Sequence, residues 1–134
     1  MVLLVVAAVI GACANAADSV LVMDCGSADQ RLDQFDETGR DCLWESYSAG
    51  ESSTTAKWKL TRSTIEGDPI SYAVIVTKKA IEVSQDTSAD KFGGPNRGIT
   101  TWRCSGMTKI ARTADSFTFA FSGCTGAEFP PPPL

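Results

Sequence analysis

The chain has 134 residues, 43% of them hydrophobic and 21% charged, which suits one globular domain with an ordinary core. Its formal charge of −4 disfavours a nucleic-acid partner, and without a histidine any general-base chemistry falls to carboxylates or lysines. Five cysteines with no Cys-x-x-Cys pair fit no common zinc module and turn attention to disulfides.

Residues 1–12 are uninterrupted apolar or small residues, too short to span a bilayer as a helix but of the length of a signal-peptide core. Ala14-Asn15-Ala16 has the small-x-small form cleaved by a general signal peptidase, which predicts a signal peptide over residues 1–16. Ile10-Gly11-Ala12-Cys13 resembles the lipobox of bacterial lipoproteins. That resemblance implies a signal of residues 1–12, with Cys13 as the lipidated first residue of the mature chain and the only link to a membrane. The fold is then expected in a single α+β domain over residues 17–128, followed by a Pro-rich tail at 129–134.

Residues 19–23 are a short apolar run that suits either an edge strand or a lead-in. Ser27-Ala28-Asp29-Gln30 has capping-box form, and Leu32 with Phe35 gives an apolar stripe, so a short helix is expected there. Thr38-Gly39-Arg40-Asp41 repeats the start signal. Leu43, Trp44 and Tyr47 supply a wider apolar face, and Gly50 offers a stop, which predicts a helix over 39–49. Eight acids lie between Asp24 and Glu51 against Arg31 and Arg40. Of these, Asp33, Asp36, Glu37 and Asp41 sit close enough to suggest calcium. They lack the oxygen order and the glycine of an EF-hand, however, and are read as a solvated acidic helix face; no metal and no cofactor is expected.

After a polar loop at 51–55 the period becomes two. Trp58, Leu60, Thr61, Thr64 and Ile65 form a first strand, Glu66-Gly67-Asp68-Pro69 a turn, and residues 70–77 a second strand dense in β-branched side chains. Lys78-Lys79 turns the chain into a third strand at 80–84, and the longest loop covers 88–98. Within it Lys91, Phe92, Asn96 and Arg97 are the candidate binding residues, because long loops on a rigid sheet commonly carry recognition. The loop does not meet the requirements of a phosphate-cradling motif: Pro95 removes one backbone donor and a strand follows instead of a helix.

Residues 98–124 read as a long hairpin turning at Thr113-Ala114-Asp115, with Phe117, Phe119 and Phe121 on one face of its second arm. Setting Cys13 aside leaves Cys25, Cys42, Cys104 and Cys124. The local pairs Cys25–Cys42 and Cys104–Cys124 are favoured, with Cys42–Cys104 the rival, and each bridge contributes roughly 2–4 kcal/mol. Trp44 and Trp102 are expected in the core, whereas Trp58, standing between two lysines, is a candidate exposed aromatic. The tail of prolines is expected to project as a polyproline stub.

The whole reads as one or two N-terminal helices packed on a four- to five-stranded antiparallel β-meander, disulfide-braced. Its layout is similar to the cystatin type and to small helix-on-sheet modules of bacterial envelope lipoproteins, a likeness of layout that carries no residues over. No catalytic site is expected. The function read from this is an exported, lipid-anchored, noncatalytic and monomeric domain that binds an envelope or extracellular protein or glycan. The alternative is a small secreted inhibitor or a hydrolase-like enzyme using carboxylates such as Glu45 and Glu66.

Overall fold

The computed structural model describes residues 21–32, 35–50, 54–78 and 80–134. The signal segment with its lipidation candidate Cys13, the acid Asp33, residues 51–53 of the polar loop and Lys79 lie outside the described residues. The architecture is α+β: one α-helix, a five-stranded mixed sheet and a separate two-stranded sheet.

The chain enters as β1 (Val22–Asp29), crosses through α1 (Glu37–Ser48), and continues as β2 (Thr55–Ser63), β3 (Pro69–Val76), β4 (Ile81–Asp86) and β5 (Ile99–Cys104). These five strands lie in the sheet in chain order. β2 to β5 form the expected antiparallel meander, but β1 runs parallel to β2. The correction has a topological cause: neighbouring parallel strands need a long crossover, and α1 supplies it. The first of the two expected helices is replaced by β1 itself, which extends to Asp29 and leaves a single 3₁₀ turn at Gln30–Leu32.

Alternation sorts the sheet. Ala56, Trp58 and Leu60 of β2, Tyr72, Val74 and Val76 of β3, and Ile81 and Val83 of β4 are buried on the face that α1 covers. Trp58, the candidate exposed aromatic, is therefore a core residue: Lys57 and Lys59 flank it in sequence but belong to the opposite face. Its ring meets Phe119 edge-on at 6.4 Å, and Phe119 stacks on Trp44 at 6.4 Å.

The predicted hairpin is divided between two sheets. β5 stays in the meander; the chain then bends at Ser105, and β6 (Gly106–Ala111) pairs with β7 (Phe117–Ser122) on the α1 side. The β6–β7 register pairs Gly106 with Ser122, and carried two residues further it sets Cys104 opposite Cys124. Those two cysteines are joined, as are Cys25 and Cys42, so one bridge braces the passage between sheets and the other ties β1 to α1. Of the three phenylalanines only Phe119 is fully buried; Phe117 and Phe121 pack at its margins.

The tail does not project. Gly126, at φ 119°, turns the chain against β5 where a Cβ would lie 3.3 Å from the Trp102 Cα. Trp102 Nε1 then donates to the Phe129 carbonyl at 2.7 Å. Leu134 is fully buried and exchanges both backbone hydrogen bonds with Phe119, at 2.6 and 3.0 Å. Prolines cannot donate to a ladder, but the leucine that follows them can.

Candidate functional site

The topology gathers several loops at one pole of the sheet: the end of β1, the start of α1, the β2–β3 turn and the β4–β5 loop. The last two are linked, since the Lys91 backbone N–H donates to Asp68 Oδ2 at 2.8 Å. Turn chemistry holds the β4–β5 loop in place. Thr87 N–H bonds the Gly98 carbonyl at 2.9 Å across its base, and Asp90 Oδ1 accepts from the Phe92 N–H at 3.0 Å.

All four loop candidates are exposed, but their roles divide. The Arg97 guanidinium is spent on the loop itself, donating to the Gly94 and Asp90 carbonyls at 3.1 and 3.0 Å. Lys91 and Asn96 face solvent, and Phe92 is 72% exposed. Exposed Ile65, Leu32 and Ile99 belong to the same pole, so a rim of separate apolar side chains surrounds the loop ends.

Below this rim lies a cluster that reasoning from sequence did not single out. Arg40, in the first turn of α1, is fully buried. Its guanidinium sits 4.1 Å from the Phe35 ring centre and 4.6 Å from that of Trp58, and among the described residues its one hydrogen bond is a long 3.4 Å contact from Nη1 to the Asp36 carbonyl. Nε and Nη2 have no hydrogen-bond partner among the described residues. Burial, reinforced by Arg62 and Arg112 and opposed by Asp36, draws the Arg40 pKa down to about 10, so the group stays charged at neutral pH.

Arg62 continues the inward phase of Ala56, Trp58 and Leu60, and burial lowers its pKa as well. It donates to Gln30 Oε1 at 3.0 Å and to the Pro133 carbonyl at 2.8 Å. Arg112, from the β6–β7 turn, lies over the same Phe35 ring at 4.5 Å. Both inward-facing arginines, the buried Arg40 and the half-buried Arg62, were visible in the phase of the pattern. Arg40 precedes Leu43, Trp44 and Tyr47 at helical spacing, and Arg62 keeps the period of β2.

The acidic candidates do not assemble. Asp36 caps α1, Asp41 reaches Lys109 at 3.6 Å, and no cluster able to hold a metal occurs among the described residues. Glu45 and Glu66 are both exposed, one towards the far end of α1 and the other in the β2–β3 turn at the loop pole. At the far pole a cavity of about 120 Å³ lies between Tyr47, Gly50, Thr77 and Ser105. A second, of about 230 Å³, lies on the outer face beside Ile75, Glu82 and Arg103. Compared with known families, curated proteins and solved structures, the chain matches none.

Proposed function

We propose that this chain is a noncatalytic exported domain that binds an envelope or extracellular component through its loop pole. The observation that carries the reading is the exposed apolar rim of Ile65, Phe92, Ile99 and Leu32, with Lys91 beside it, held on a sheet braced by two disulfides. Separate apolar side chains around a rigid loop suit recognition of another surface. The disulfides are consistent with an oxidising, extracytoplasmic setting. Export is through the N-terminal signal, with Cys13 as the lipid anchor, and the partner is a protein or glycan at the cell boundary. No helix among the described residues is long and apolar enough to cross a membrane.

A photo-cross-linking side chain placed at Phe92, compared with one at Lys78 on the far pole, tests the reading in intact cells of origin. Adducts to an extracytoplasmic component from position 92 and not from position 78 support it. Equal labelling from both positions, or adducts to cytosolic proteins, would contradict it.

A further inference from the structure

We infer that Arg40, Arg62 and Arg112 form a binding site for an oxyanion that presents two acceptor oxygens, a carboxylate, sulfate or phosphate group, with the Phe35 ring covering it in this structure. The site goes beyond the apolar rim and does not rest on the function assigned to it.

Three observations point to an anion. The first is the pattern of unmet donors on Arg40. The two nitrogens without partners, Nε and Nη2, share one edge of the guanidinium. That edge is the parallel fork which engages a carboxylate or phosphate through two hydrogen bonds. The second is charge: two further arginines lie within electrostatic reach of Arg40, and the carboxylate of Asp36 opposes them. Asp36 is already committed, with Oδ1 on the Gly39 N–H at 2.8 Å and Oδ2 on Trp58 Nε1 at 2.9 Å. An acidic chain of net charge −4 thus keeps a positive pole beneath its loops.

The third observation is that Arg40 is costly where it stands. A buried charge with no ion partner is destabilising unless something compensates it. Residues of equal length and no charge would fill the same space between Phe35 and Trp58. A ligand oxyanion supplies the missing acceptors. Phe35 packs against both guanidinium groups, with the Arg40 and Arg112 Cζ atoms 4.1 and 4.5 Å from its ring centre, so displacing this half-buried ring would uncover both.

The test uses the full chain with both disulfides formed. Thermal unfolding is followed in sodium chloride and, at matched ionic strength, in sulfate, phosphate or citrate, for the wild type, Arg40→Met and Arg112→Gln. Arg40→Met is expected to melt higher than wild type in chloride, because the uncompensated charge is gone, and to lose the oxyanion-specific rise. Arg112→Gln is expected to keep that rise with an affinity about tenfold weaker, the equivalent of one hydrogen-bonded charge contact. Equal rises in wild type and Arg40→Met would reflect general salting effects and overturn the site. A second measurement requires no variant: in the wild type, the Arg40 Nε–H resonance should shift saturably with oxyanion while that of exposed Arg103 does not. No saturable shift at Arg40 with any of the three anions would also overturn it. The anion that binds most tightly tells a carboxylate from a tetrahedral group.

Discussion

Trp58 and Asp36 are joined by a 2.9 Å hydrogen bond from the indole Nε1 to Oδ2, while Oδ1 of the same carboxylate caps α1 through the Gly39 N–H. One side chain therefore both starts the helix and satisfies the buried donor of the largest residue in β2. Asp36→Ala is expected to cost about 2–4 kcal/mol, combining a lost cap with an orphaned indole N–H. Asp36→Asn, which keeps an acceptor, should cost less. Denaturant unfolding of both variants measures the difference, and a loss below about 1 kcal/mol for alanine would show that the two roles are not coupled.

Gly39 is the close-approach point of α1 on the sheet. A Cβ there would lie 2.6 Å from Trp58 Nε1 and 2.7 Å from the Cys25 carbonyl. Helix propensity alone favours alanine over glycine by about 1 kcal/mol. The clash is expected to outweigh it, because the Cys25–Cys42 bridge ties α1 to β1 and prevents the helix from moving away. Gly39→Ala should be net destabilising by about 1–2 kcal/mol in denaturant unfolding; a gain would show that the helix has room to shift.

Much of this fold was legible because period two sorts side chains directly. The alternation of β2, β3 and β7 gave those strands, and the locally paired bridge favoured for Cys104 and Cys124 over the rival Cys42–Cys104 is the one that forms. The parallel pairing of β1 was not legible, since Ser27-Ala28-Asp29-Gln30 carries local helix chemistry that pairing with Lys59, Leu60 and Thr61 overrides. Trp58 was misplaced by giving its sequence neighbours more weight than its phase. The tail was misjudged because four prolines were allowed to speak for Leu134. The arginine cluster was overlooked for a different reason. Charged residues are ordinarily assigned to the surface, and only phase shows that Arg40 and Arg62 turn inward.

The tail predicts its own contribution. Phe119 exchanges both backbone hydrogen bonds with Leu134, and both side chains are fully buried. Removing residues 130–134 is expected to destabilise the domain by roughly 2–5 kcal/mol and Phe119→Ala by about 3–5 kcal/mol. Truncation should also remove exchange protection at the Phe119 N–H, whereas a projecting tail would leave it unchanged.

Arg40 gives the fold a pH signature. Burial draws its pKa down to about 10 in the folded chain, below the ordinary arginine value, so the folded state releases this proton first. The penalty for burying the group is complete below about pH 10 and fades as pH rises past it, which raises stability relative to a chain without the group. The advantage of Arg40→Met over wild type at pH 8 should therefore shrink by pH 11. A constant advantage would place the charge in contact with solvent.

An exported domain braced by Cys25–Cys42 and Cys104–Cys124 would declare itself in the intact mass of the chain recovered from its own cells after acid quenching and thiol alkylation. All four cysteines are expected to escape alkylation, on a chain found outside the cytoplasm whose N-terminus is lipidated Cys13 or, after general signal cleavage, Ala17. A cytoplasmic chain beginning at Met1 with those four thiols alkylated would contradict that expectation.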